Sequence, residues 1–229
     1  MCVLQLILLL NEESSDIMRR FAIIGHRAMA SGKLPLSDLA SGAGRMDVLI
    51  RALMASLMTS HGLRRDSEVI LHLWGGPGPK RRLKFVGREV TGIHAEERSI
   101  AGQIAKVIRE PSPPIGRWIE RDSGIYDSGG SIEDTIREWH QSTIIALDAN
   151  ATRLWSENSP IPTEGKPHST DFIRDDELDL GFIISDDKTL GVDKFDTLIR
   201  RSLGNTWLQG HMAIGVCHFL IDEGVELNI

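Results

Sequence analysis

The residues able to do chemistry in this chain fall into three kinds of place. A basic cluster, Lys80-Arg81-Arg82 with Lys84 and Arg88, lies on an alternating stretch, and Arg64-Arg65 stands before the strand that precedes it. On an alternating strand Arg82 and Lys84 share one face. There they would contact RNA phosphates, which set register and supply salt-dependent affinity; a solvated hairpin is the other reading of the same residues. Polar residues also follow short apolar runs: Asp148 after Ser142 to Leu147, Ser185 after Phe182-Ile183-Ile184, and Gly204-Asn205-Thr206 after Leu203. Open α/β sheets place ligands beyond such strand ends. If the strands are neighbours, the three loops share one edge of one sheet. Finally, Gly44-Arg45-Met46-Asp47 puts an acid in the first turn of a helix, where the macrodipole alone favours it.

Several chemistries are excluded. No Gly-x-Ser-x-Gly elbow is present. Gly75-Gly76-Pro77-Gly78 lacks the Gly-Lys-Ser/Thr of a phosphate-binding loop, and His94-Ala95-Glu96-Glu97 lacks a second histidine at helical spacing. The only cysteines, Cys2 and Cys217, are far apart, so neither a disulfide framework nor a cysteine zinc site is expected, and no metal. The net charge of -6 argues against blanket attraction to nucleic acid and leaves only a local basic patch for that role.

The elements that must position these residues can be read in order. Arg20 to Arg27 reads as an opening strand, and Met29 to Ala43, rich in Gly, Ser, Pro and Asp, as a loop. Val48, Leu49, Ala52, Leu53, Leu57 and Met58 share one face of a helix that Gly62 stops. Glu68 to Trp74 and Arg81 to Val86 read as a hairpin around the Gly/Pro turn. A helix from Ala95 to Arg109 ends at Pro111-Ser112-Pro113-Pro114. Gly124 to Tyr126 suggests a short strand. Ser131-Ile132-Glu133-Asp134 resembles a capping sequence for a helix to Trp139. Ser156 to Asp171 reads as a surface loop, and Asp193 to Arg200 as a short helix. In the last helix Leu208, Met212, Val216 and Leu220 share a face that Trp207, Ile214 and Phe219 widen. Gly210 and Gly215 interrupt it, so something is expected to approach closely, since a helical glycine costs about 1 kcal/mol against alanine. Strands alternating with helices suit an α/β fold with a single central sheet and helices on both faces.

Met1 to Leu10 is apolar but has no basic flank and no small-residue cleavage site, and it is far too short to span a bilayer. Met18-Arg19-Arg20-Phe21 reads as the true beginning. Residues 1–17 are therefore expected to be an extension, and residues 18–229 one domain. No other stretch resembles a membrane span, and the cysteine usage suits a reducing compartment, so the cytoplasm is expected.

Taken together, M-R-R-F at Met18, G-R-M-D-V-L at Gly44, S-H-G-L-R-R-D at Ser60, K-F-V-G at Lys84, E-E-R-S-I at Glu96, S-G-I at Ser123, S-L-G at Ser202 and H-F-L-I-D at His218 form an ordered set. In order and spacing it resembles the archaeal tRNA pseudouridine-54 N1-methyltransferase family, of the knotted SPOUT class. The resemblance implies a C-terminal deep trefoil knot, a rare exception to the rule against threaded chains. It further implies S-adenosylmethionine as cofactor, a homodimer, and pseudouridine in the T-loop of tRNA as substrate. Carried over, the cofactor-binding positions are Leu147, Ser185, Leu203, Gly204, Asn205, Thr206, Trp207, Leu208 and Ala213. Asp47 becomes the candidate base with Arg45 orienting the substrate, and Arg64, Arg65, Lys80, Arg82 and Lys84 the candidate RNA contacts. Aligning nucleophile and methyl can lower the barrier by roughly 7–11 kcal/mol, and a base helps because a protonated nitrogen is a poor nucleophile.

Three positions depart from the family's pattern: Ser185-Asp186-Asp187 stands where Gly-Asp-His is usual, Asn205 where proline is frequent, and Ala213 where cysteine is usual. They leave two alternatives open, a paralogue that binds RNA without the cofactor and a methyltransferase acting on another RNA position.

Overall fold

The computed structural model describes residues 18–156, 179–186, 188 and 198–229. Among the described residues, ten strands and four helices run in the order β1 (Arg19–Met29), α1 (Met46–Leu57), β2 (Met58–Thr59), β3 (Gly62–Leu63), β4 (Ser67–Gly75), β5 (Arg81–Val86) and α2 (Glu97–Arg109). They continue with β6 (Ile119–Asp122), β7 (Ile125–Gly129), α3 (Ile132–Glu138), β8 (Thr143–Leu147), β9 (Leu180–Ser185), β10 (Ile199–Arg201) and α4 (Gly210–Asp222). Eight strands form one sheet in the order β10-β8-β9-β1-β4-β5-β7-β6, and β2 and β3 make a small separate ladder. From β10 to β4 every pairing is parallel. From β4 to β6 every pairing is antiparallel.

Strand side chains alternate between faces, and β1 divides accordingly. Phe21 and Ile23 join Val69, Leu71, Phe85, Phe182 and the buried stripes of α1, α2 and α4 in the larger core. Ala22 and Ile24 join Ile70, Ile183 and, from the α3 region, Ile132 and Trp139 in a smaller one. Among the described residues, helices thus cover both faces, three against one. Phe21 and Phe182 stack across neighbouring strands at 5.4 Å between ring centres.

Local chemistry explains where the helices begin. Glu96 caps α2, accepting hydrogen bonds from the backbone N–H groups of Arg98 (3.0 Å) and Ser99 (2.6 Å). Ser131 and Asp134 form the capping box of α3. Before α1 the chain takes two successive left-handed residues, Gly44 at φ 68° and Arg45 at φ 67°. A Cβ on Gly44 would lie 1.8 Å from the Arg27 carbonyl oxygen, so only glycine lets this loop seat against the end of β1.

Two expectations are corrected. The segment expected to be helical up to Arg200 contains β10, because Ile199 and Arg200 pair with Ile145 and Ala146 of β8; nonlocal pairing overrides a local pattern that fits either element. The buried face of α4 is Ala213, Ile214, Cys217, His218 and Leu220, while Met212 and Phe219 face outward. The proposed extension 1–17 and most of the expected loop 156–171 lie outside the described residues, as do the connections that a knot would involve. No helix among the described residues is long and apolar enough to cross a membrane.

Candidate functional site

The parallel half of the sheet brings the ends of β8, β9 and β10 to one edge, and a cavity of about 390 Å³ opens there. Leu147, Asp148, Ala149 and Asn150 line it from β8, Ile184, Ser185 and Asp186 from β9, and Arg200 and Leu203 from β10 and its loop. Gly204, Thr206, Trp207 and Leu208 continue the wall to Gly210 and Ala213 on the first turn of α4. Eight of the nine residues singled out in the sequence as cofactor contacts therefore meet at one place; Asn205 is exposed and does not line the cavity.

The lining has an apolar part and a polar part. Leu147, Ile184, Leu203, Leu208 and Ala213 offer flat aliphatic walls of the kind that hold a ring. Opposite in character, Asp148 accepts a hydrogen bond from the Asn150 N–H at 2.9 Å and is paired with the Arg200 guanidinium. The Asn150 N–H holds this carboxyl below its ordinary range, against the opposing effect of burial and with help from Arg200, so it is ionised at neutral pH. The Asp186 side chain is fully buried and bonds back to β1: its carboxylate accepts from the His26 N–H and from the His26 ring Nδ1, both at 2.8 Å. The buried Ser185 Oγ finds no hydrogen-bond partner among the described residues. A buried hydroxyl without a partner costs free energy. Asp186, Arg200 and Ile184 were not singled out from the sequence as site residues, and Asp148 and Gly210 were noted there only by position, not as cofactor contacts. The available signal was their position, directly at strand ends or, for Gly210, an interruption in a helix.

Arg45 and Asp47 lie at the start of α1 and do not line the cavity. Asp47 accepts from Arg45 Nε at 3.1 Å and is paired with Arg51 one turn on. To take a proton it would have to release one of these partners.

The basic residues do not form one patch. Arg82 is fully buried and cannot reach a phosphate, which corrects the expectation for it. Its guanidinium donates to the Gly129 carbonyl, to Thr135 Oγ1 at 3.1 Å and to Glu138 at 2.8 Å, and stacks on Trp118. Its neighbour Arg81 is equally buried, bidentate to Asp127 at 2.6 and 2.7 Å, with its other donors on the Ala30, Val107 and Glu110 carbonyls. Lys84 is half-buried over the rings of Trp118 and Tyr126. Arg64 pairs with Asp222 at 2.6 Å, and with the exposed Arg65 it precedes β4 at the edge away from the cavity. Lys80 is exposed above the Trp74 ring and precedes β5, whose Arg81 pairs with Leu73 near the end of β4; this places it on the cavity's edge of the sheet.

Comparison with known proteins agrees with this architecture. Residues 18–223 match a family described as "Putative SAM-dependent RNA methyltransferase". A curated tRNA (pseudouridine(54)-N(1))-methyltransferase from Methanocella arvoryzae is 44% identical over 119 residues, 52% of this chain and 62% of that protein. One from Methanospirillum hungatei is 32% identical over 143 residues, 62% of this chain and 73% of that protein. The match thus spans under two thirds of the first of these relatives. Among solved structures, Archaeoglobus fulgidus Nep1 bound to S-adenosylhomocysteine superposes with a TM-score of 0.57 at 12% identity, covering 90% of this chain and 99% of that one, a likeness of fold. With nearly its whole described length inside the family match, the chain belongs to this family of S-adenosylmethionine-dependent RNA methyltransferases.

Proposed function

We propose that this protein transfers a methyl group from S-adenosylmethionine to N1 of a pseudouridine in the T-loop of tRNA, at position 54 as in the names of its curated relatives. The observation that carries the reading is the convergence of three strand ends on one cavity, with a buried hydroxyl in its wall that has no partner among the described residues. When bound, the cofactor supplies an electrophilic methyl on a sulfonium. The residues present fit it. Leu147, Leu203, Leu208 and Ala213 would hold the adenine, the Gly204 to Thr206 backbone and Ser185 Oγ would bond polar edges, and the ionised Asp148 suits a cationic ligand. The target base must leave its stack to reach such a site, and Lys80 at the same edge would meet the neighbouring phosphates.

Further parts of the reading rest on the same family membership. The crossing from β9 over β8 to β10 supports the trefoil knot. Trp207, Met212 and Phe219 are 73%, 52% and 46% exposed, and a side chain on Gly215 would meet only open space. An outward apolar face on the last helix supports a homodimer seated there. Residues 18–229 would be the working domain, acting in the cytoplasm.

Calorimetry with S-adenosylhomocysteine tests the cavity. One saturable site per chain is expected, and absence of heat at millimolar ligand would instead favour an RNA-binding paralogue.

A further inference from the structure

Given the proposed reaction, we infer that His26, oriented by Asp186, is the group that takes the proton from the target nitrogen. The two residues stand where the ends of β1 and β9 lie side by side, at the point in the sheet where the strand order reverses. Open α/β sheets bind ligands at such points. The register pairs Ile24 with Ser185, and the Asp186 N–H donates to the Ile24 carbonyl at 2.9 Å. The Asp186 carboxylate then gathers three donors: the His26 backbone N–H, the His26 ring at Nδ1, and the Lys188 N–H at 3.1 Å. Trp74 of β4 packs against the imidazole at right angles, with ring centres 5.2 Å apart.

This arrangement sets both the tautomer and the orientation of the ring. A carboxylate can only accept, so Nδ1 carries the hydrogen and Nε2 keeps a lone pair. Nε2 has no partner among the described residues, and the side chain is 19% exposed. Asp186 itself lines the cavity, and the ring is one hydrogen bond from it. Neither Asp47, the candidate read from the sequence, nor His26 is among the cavity's lining residues, but Asp47 is paired with two arginines whereas His26 bonds to a residue of the wall. The charged and titratable groups around His26 are Asp186 from β9, Lys80 over the same Trp74 ring, and His72 of β4 against that ring. Burial keeps His72 neutral down to about pH 3. At the start of α1, Arg45 and Arg51 are paired with Asp47.

In the step, the N1–H bond breaks and its proton passes to Nε2. The electron pair left on N1 forms the bond to the methyl carbon while the carbon–sulfur bond breaks and leaves its electrons on sulfur. The imidazolium then returns the proton to water. Asp186 acts through His26 and is a positioning residue.

The test uses the full-length protein with His26→Asn, which keeps a donor where Nδ1 stood, His26→Gln, and Asp186→Asn. Melting temperature and S-adenosylhomocysteine affinity are measured for each. In the ligand-free wild type, ¹⁵N NMR of the His26 ring is expected to show the Nδ1–H tautomer, and Asp186→Asn to lose it. With T-loop RNA, His26→Asn and His26→Gln are expected to lower kcat/KM about a hundred-fold or more. The shape of the rate–pH profile should also differ from wild type in both His26 variants. Wild-type rate and pH profile in both His26 variants would overturn the inference while leaving the methyltransferase reading intact. A wild type that binds no cofactor would overturn that reading and this inference with it.

Discussion

Arg82 separates two roles that a basic residue can play. Its side chain is fully buried, and it donates to Gly129, Ser128, Thr135 and Glu138. Replacing it with alanine removes these bonds and opens a void beneath Trp118, while Glu138, one-third exposed, can turn to water. The cost is therefore smaller than for a pair buried on both sides, about 2–4 kcal/mol, or roughly 4–16 °C in melting temperature for a chain of this size. Lys80 is exposed, so Lys80→Ala should leave stability within about 0.5 kcal/mol of wild type. The order reverses in RNA binding. Each lost phosphate contact flattens the slope of log affinity against log salt by about 0.7–0.9, so Lys80→Ala should flatten it and Arg82→Ala should not. Urea unfolding and a salt titration with labelled tRNA measure the two quantities. An Arg82→Ala protein with wild-type stability and a flattened salt slope would refute the burial argument.

Asp127 balances two arginines, Arg81 within the core and Arg121 at its margin, so Asp127→Ala should cost about 3–5 kcal/mol in urea unfolding. The apolar pair Arg81→Met with Asp127→Leu should recover much of that loss; a double variant worse than the single would show that shape, not charge, is at stake. Burial, followed by nearby cations, pushes the imidazoles of His72 and His218 down to about 3. The unfolded chain takes up these protons first, near pH 6.5, so stability is full above that pH and falls as pH drops toward 3. From pH 7.5 to pH 5 the two together should cost roughly 4 kcal/mol, and a flat stability profile there would count against neutral buried histidines. Ser185→Ala should leave the ligand-free protein as stable as wild type, yet weaken S-adenosylhomocysteine binding about 5–10-fold by calorimetry; unchanged affinity would mean that the hydroxyl meets no ligand.

Much of the fold could be read because local pattern and global burial agree. The opening strand around Arg20 to Arg27, Leu49, Ala52, Leu53 and Leu57 of the α1 stripe and the capping box at Ser131 are short-range signals that appear in the structure, whereas Val48 is only half-buried, Ile50 takes a buried place and Met58 falls past the helix end. The strand ends carrying Asp148 and Ser185 were legible for the same reason, and with them most of the cavity wall. Features fixed by distant partners were not. Nothing near Arg81 in sequence announces Asp127, 46 residues on, and nothing near His26 announces Asp186, 160 residues on. β10 is three residues whose identity as a strand comes from β8, and β6 is a four-residue edge strand with little apolar content. The outward turn of Met212 and Phe219 was hidden because α4 is apolar on more than one side, so periodicity alone left its buried face undecided.

The central claim is that the cavity delivers a methyl group to a pseudouridine N1. It is tested most directly by incubating the protein with labelled S-adenosylmethionine and two T-arm hairpins that differ only in pseudouridine or uridine at the target. In uridine the N1 atom is bonded to ribose and has no hydrogen to lose. Label confined to the pseudouridine hairpin and mapped to N1 is the expected result. Equal labelling of both hairpins, or none at saturating donor, would contradict it.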